Sequence, residues 1–414
     1  MKNKIISLTA TMVLALSSVA ANIETDRTWY LAGEAMKVSV TDESALIAYA
    51  ELCDTHGLAV GVVVSLKKGK GTGIIELPSN LHSGYYVLSV YTRHNAKVSN
   101  KLIAVVNPLR KSKDDDMEWI RLSHPDSLSY SSFAEGDSFS TADLVSEKAV
   151  DVRETEGHII KARVKNSYDG KTFSGSQIHP SMSIIGKQIH YFEGQMVNDS
   201  MAVFYTFDVY GKQPLVLSAI SSTDESLPIE MVSPFATLLP KKLPHLVFHY
   251  NRSEVEARSL DMQRHQLVIA PTVEAEVVPL DYDETAYGTK PDLSYNLDEY
   301  RQFLTVREVL LEYVSCVKRT TIDGVPQLIV RKEQEVYNNT IPTLVLIDGM
   351  PVYDIERLLN YDARRIHYIN IYAGQYTFGN SLYNGILSFV TRSGRLTNYP
   401  TEPNMQYLVY EFPN

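Results

Sequence analysis

Five short apolar runs, each closed by turn-forming residues, set the first constraint on this chain. They are Trp29 to Val40, Ala45 to Leu52, Ala59 to Leu66, Gly73 to Leu77 and Tyr85 to Tyr91. That spacing suits antiparallel strands, so residues 22–108 are expected to form a β-sandwich. In SLKKGKGTGIIELPSNLHSGYYVLSVYTR a Lys/Gly turn leads to a strand, then a Pro-Ser-Asn loop, then an alternating strand from Tyr85 to Tyr91. GKGTG lacks the spacing of a phosphate-binding loop and no helix follows it, so it reads as a solvated hairpin turn.

Composition shifts over 109–150. KSKDDD and the Ser-rich SHPDSLSYSSFAEGDSFS read as a linker or long surface loop. Asp114–Asp116 read as a solvated charge run, because no spaced ligand loop with Gly and a distal Glu surrounds them. From 151 to 240 strand-like segments return, HIIKARVKN, PSMSIIGK, MAVFYTFDVYG and QPLVLSAI, and predict a second sandwich. Pro228, Pro234, Pro240 and Pro244 mark a non-helical connector, and 241–299 is expected to hold partial strands in an extended linker.

Residues 300–396 change character. Thr305 and Glu308 fit a capping box, and Val306, Val309, Leu310, Tyr313, Val314 and Val317 then recur at helical spacing. A strand pair follows, with Asp323-Gly324 as its tight turn. Thr343 to Ile347 reads as a strand and Ile355, Leu358 and Leu359 as a short helix capped by Asp354. Ile366 to Tyr372 and Gly385 to Thr391 are two further strands. The order is that of a small α+β module, followed by a tail, 397–414.

The N-terminus bounds location. Lys2 and Lys4 precede a mostly apolar Ile5 to Val19, and Ser18-Val19-Ala20 ends in small residues, so residues 1–21 read as a secretory signal peptide. The apolar stretch falls short of the roughly 20 residues a transmembrane helix needs. No later segment is long enough either, so the chain is expected to be exported, and periplasmic or peripherally held at the outer membrane by a partner. Its 44% hydrophobic and 21% charged residues suit ordinary cores. The net charge of −10 becomes −12 without the two lysines of the signal, which argues against nucleic acid or anionic lipid as the main partner. Cys53 and Cys316 are far apart, and a disulfide between them is the less favoured expectation.

No catalytic, cofactor-binding or metal-ligating residues are assigned, and no cofactor is expected. HExxH, GxSxG and CxxC are all lacking, and the eleven histidines do not fall at ligand spacing. His56 lies three residues after Cys53, but a strand-end cysteine beside an exposed histidine is the preferred reading over a nucleophile–base pair. Asp281, Asp283 and Glu284 read as a solvated acidic loop. Tyrosine is abundant, at 26 residues, and the aromatic tail MQYLVYEFPN is expected to dock on a partner.

Residues 344–391 resemble the plug domain of outer-membrane TonB-dependent receptors. The resemblance rests on Leu344-Val-Leu-Ile-Asp348-Gly349-Met-Pro351, Ile366 to Tyr372, Tyr376-Thr-Phe-Gly379 and Asn384-Gly385 to Thr391. Phe378-Gly379 departs from the family's usual Tyr-Gly. Only twenty residues follow Gly394, too few for the family's barrel, so uptake through a pore of its own does not carry over. What the resemblance implies is a small α+β fold, an outer-membrane setting and a protein partner. TDRTWYLAGEAMKVSV and GTGIIELPSNLHSGYYVLSVYTR resemble macroglobulin-type sandwich modules. Neither cysteine sits in the Cys-Gly-Glu-Gln thioester context of the trapping members, so covalent protease capture is excluded. The layout resembles exported Bacteroidota proteins, and Asp126-Ser127-Leu128 and Asp199-Ser200-Met201 resemble the tripeptide O-glycosylated in that group. The expectation is a mainly β, non-enzymatic envelope interaction or scaffold protein. The alternatives are a glycan- or peptide-binding module, and an enzyme with a site between domains.

Overall fold

Strands dominate the chain, at 49% of residues against 11% helix, and build β-sandwiches. The computed structural model describes residues 20–413, apart from 125, 156, 186–188, 224, 270–286, 323, 332–340, 379–380, 395, 397–398 and 400–403. Residues 1–19 of the expected signal peptide, Asp281, Asp283, Glu284, Asp323 and Gly379 therefore lie outside the described residues. The chain divides into two compact units. One comprises Met1–Gly61, Leu66–Arg153 and Thr237–Val255; the other comprises Val62–Ser65, Glu154–Ala236 and Glu256–Asn414.

In the first unit, Asn22–Thr25, Ala35–Thr41 and Lys70–Glu76 form one sheet. Trp29–Leu31, Ser99–Val106, Gly84–Tyr91 and Ile47–Cys53 form the other, in that spatial order. Ser99–Val106 is a strand that the apolar runs did not single out. All eight residues of Gly84–Tyr91 are buried, so the alternation expected from Tyr85 to Tyr91 does not hold. The reason is a third sheet, in which Leu246–Tyr250 lies between Tyr130–Phe133 and Met117–Arg121. Leu246 and Phe248 join Trp29, Leu31, Tyr85 and Val106 in one core, covering the face that alternation would have left to solvent. Two strands thus lie inside the 109–150 segment expected as a linker, and a third inside the 241–299 connector.

That connector also holds a helix, Arg252–Ile269, where only partial strands were expected. Asn251 opens it, its side chain accepting from the Ser253 amide at 3.0 Å and the Glu254 amide at 3.4 Å. Its apolar residues form no single stripe, which hides it from a periodicity reading. The boundary between the two units falls within it.

The second unit contains the other sandwich. One sheet orders Gln195–Asn198, Met201–Thr206, His158–Val164 and Ile229–Met231; the other orders His190–Glu193, Ile178–Ile184, Gly211–Ser221 and Gln406–Phe412. The last strand corrects the expectation for the tail. Gln406–Phe412 pairs antiparallel with Gly211–Ser221, and Tyr410 and Phe412 enter the core beside Met182, Phe204 and Leu217. These two aromatics complete this sandwich instead of facing a partner.

The α+β region belongs to the same unit. Its mixed sheet orders Leu293–Asn296, Ile366–Phe378, Ser381–Thr391, Leu344–Ile347 and Met350–Pro351. The capping box at Thr305 forms as expected, and Val306–Glu312 buries Val306, Val309 and Leu310. Asp354 caps Ile355–Leu359. Ile185 and Val216, from the outer face of the sandwich, share a core with Val306, Ile347 and Met350. That shared core is why residues 300–396 do not separate as a body of their own.

Candidate functional site

The Asp348-Gly349 turn shows how this region is fixed. Both residues have positive φ, 47° and 86°, and join Leu344–Ile347 to Met350–Pro351 as a two-residue hairpin. A Cβ on Gly349 would sit 2.6 Å from Ile189 Cγ2 and 3.0 Å from the Ile184 carbonyl oxygen, so only glycine lets the turn approach the sandwich. The Asp348 side chain is fully buried. It accepts from the Thr391 amide at 2.7 Å, the Thr391 hydroxyl at 2.5 Å and the Leu396 amide at 3.0 Å. Burial pushes its pKa above 3.8 although these bonds pull the other way. The motif that carries the plug resemblance is thus a structural clamp.

Beside this clamp lies a cleft of about 750 Å³. One wall is the outer face of the sandwich sheet. Ser181 stands opposite Ser218 and Glu193, and Ser183 opposite Val216 and Tyr191, so period-two alternation puts all six on one face. His179, Tyr191, Glu193 and Ile220 of this face line the cleft. The other wall comes from the α+β region, with Leu344, Pro351, Tyr353, Leu382 and Tyr383, and from the hairpin segment Val325 to Leu328. Pro180, Pro326, Pro342 and Pro351 stiffen the rim.

The polar groups of the cleft are mostly engaged. The Tyr353 hydroxyl lies 3.2 Å from Ser181 Oγ and 3.4 Å from Ser218 Oγ. Tyr191 and Tyr383 hydrogen-bond phenol to phenol. Burial, then the neighbouring Tyr383, pushes the Tyr191 pKa up; burial, then the Glu193 charge, does the same at Tyr383. Asp354 accepts from the Arg357 amide at 3.0 Å. The Glu193 carboxylate accepts from the Ser381 amide at 3.2 Å and from the Ser381 hydroxyl. Among the described residues no lysine or arginine lines the cleft.

Other chemistry weighed from the sequence resolves differently. Cys53 is fully buried in the first unit, and burial, reinforced by Glu51, pushes its thiol up to about 12. His56 turns to Asp54 instead, at 3.8 Å. Cys53 and Cys316 are both free thiols. Among the described residues no group of three or more His, Cys, Asp or Glu is placed to hold a metal ion. Within the charge run, Asp115 accepts from the amides of Ser83 and Ser112, at 2.7 and 2.8 Å, and so ties a loop. Ser200, in one of the DS-containing tripeptides, lies in the tight turn after Gln195–Asn198.

Sequence reasoning missed one relay. His158 Nδ1 lies 3.1 Å from Glu154 Oε1, and His158 Nε2 lies 2.6 Å from the Tyr410 hydroxyl. All three side chains are buried in the second sandwich, where the relay latches the C-terminal strand. A separation of 252 residues between His158 and Tyr410 leaves no local pattern to find.

No family model and no curated protein matches the chain. Solved structures return low-level likenesses. A biofilm-associated protein's BSP domain is 10% identical with a TM-score of 0.18, over 56% of this chain and 30% of that one. Escherichia coli alpha-2-macroglobulin is 10% identical with a TM-score of 0.20, over 53% of this chain and 14% of that one. Fibronectin(III)-like modules of Clostridium thermocellum CbhA are 11% identical with a TM-score of 0.16, over 56% and 95%. This chain thus spans less than a third of the first two proteins, and scores of this size carry no functional argument.

Proposed function

We propose that this chain is a non-enzymatic binding and scaffold protein of the cell envelope that docks on an outer-membrane or other envelope protein through the cleft of its second unit. The cleft itself carries the reading. Its volume falls in the range of ligand sites, its walls are apolar and aromatic, and it lies at a seam between packed layers. Its two carboxylates, Glu193 and Asp354, already hold local structure, so neither stands as an acid–base pair with the other. A polyhydroxylated glycan would need many uncommitted donors and acceptors, and the walls offer few. The resemblance of residues 344–391 to plug domains supplies the outer-membrane setting. Among the described residues no helix is long and apolar enough to cross a membrane, which says nothing of spans built from strands.

Deleting residues 300–396 would strip the shared core of the second unit, so a point change on the cleft is the cleaner test. Leu382, 43% exposed on the rim, is suited to it. Leu382→Arg puts a bulky cation across the cleft without touching a buried group. An envelope protein crosslinked to the wild type should be lost with Leu382→Arg while the thermal midpoint is retained. The same protein captured by the variant, or a turnover activity that disappears with the cleft, overturns the proposal.

A further inference from the structure

We infer that the cleft takes a cationic side chain, lysine or arginine, from an extended and otherwise apolar partner segment, with Glu193 as its counter-ion and the Tyr353 and Tyr383 rings beside it. This rests on the cleft being the binding site. The charge pattern of the lining points to it. Glu193 takes hydrogen bonds from Ser381 alone among the described residues, and both donors are neutral. Two donors leave a carboxylate with unused lone pairs. Asp354 is different, because Arg357 lies 3.5 Å from it. Glu193 is therefore the one carboxylate of the lining without a described cation.

The rings complete the preference. Tyr191, Tyr353 and Tyr383 all line the cavity that holds Glu193, and the negative faces of phenol rings attract an ammonium or guanidinium. Their hydroxyls are bonded to Ser181, Ser218 and each other, which holds the rings in place before any ligand arrives. The same features disfavour anions, since among the described residues no lysine or arginine lines the cleft to receive a carboxylate or phosphate. The proline and aliphatic walls accept the apolar neighbours of the charged residue, and an extended strand would present them on alternate sides. His179 and Gln327, with no described side-chain partner, are placed to meet its backbone.

Titration calorimetry on the full chain tests this with three peptides, acetyl-Leu-Pro-Lys-Leu-amide and its Nε-acetyl-lysine and glutamate counterparts. The lysine peptide should bind, and acetylation or the glutamate swap should weaken it about tenfold or more, the size expected of a charge-assisted contact. Glu193→Gln should bring the same loss for the lysine peptide and little change for the acetylated one. The thermal midpoint of Glu193→Gln should stay at the wild-type value, which separates loss of the counter-ion from loss of folding. Equal binding of the three peptides, or lysine-peptide binding that Glu193→Gln leaves unaltered, overturns the cation assignment. If Leu382→Arg still blocks those ligands, the docking proposal survives that failure. If Leu382→Arg blocks nothing, both fall.

Discussion

Each unit has a sandwich sheet with its outer face covered, and the two covers are built differently. In the first unit the cover is a three-stranded sheet whose aromatic rings fill the interface. Phe248 meets Trp29 edge-on at 4.9 Å and Trp119 at 5.5 Å, and Phe133 meets Tyr85 at 5.5 Å. In the second unit the cover is the α+β region, joined through aliphatic residues such as Ile185, Val216 and Ile347. Towards Tyr191 and Glu193 that packing gives way to a cleft. A face sealed by rings is a structural element; a face covered incompletely, with a carboxylate and phenols left at the gap, can receive a ligand.

The largest expected effect tests the sealed cover. Phe248→Ala removes a fully buried ring from an interdigitated cluster and should cost about 4 kcal/mol, read from denaturant unfolding. A cost below about 1 kcal/mol would show that the first cover is as loosely filled as the second. Asp348→Ala should cost about 3 kcal/mol, because it strands the Thr391 and Leu396 donors in a buried site. Hydrogen exchange should quicken at those two amides first. Val216→Ala, in the aliphatic cover, should cost about 2 kcal/mol. Thr305→Ala loses the cap of Val306–Glu312 and should cost about 1 kcal/mol.

The smallest effect is a pH dependence at an exposed turn of the second unit. Hydrogen bonds from Ser221, then Thr223, hold Glu225 down from 4.5 to about 2. A carboxylate lowered on folding stabilises above its unfolded value and loses that contribution as pH falls towards the folded one. The acid limb of the stability curve between about pH 4.5 and 2 should therefore be shallower in Glu225→Gln. An unchanged limb would remove Glu225 from the account.

Local chemistry was legible wherever it depends on neighbours in the chain. The Thr305–Glu308 capping box, the Asp354 cap and the strands around Leu344 and Ile386 could be placed from spacing and side-chain type alone. The helix Arg252–Ile269 was not, because its apolar residues form no stripe. The tail misled for a different reason. The aromatic tail MQYLVYEFPN read as a docking surface, but its Tyr410 and Phe412 fill the core of a sandwich begun some 250 residues earlier. Around the cleft, the sequence pointed to the neighbouring Asp348-Gly349 turn and to none of Tyr191, Glu193 or Tyr383 of the lining.

By itself the sequence determined the class of the fold, a mainly β chain of short strands, because periodicity and turns are properties of adjacent residues. Only the tertiary structure decided which faces are covered, that the last strand belongs to the second sandwich, and that Glu193 shares a cleft with Tyr353 and Tyr383. Those facts depend on residues far apart in the chain meeting through long-range packing, and no local pattern encodes where such partners will lie.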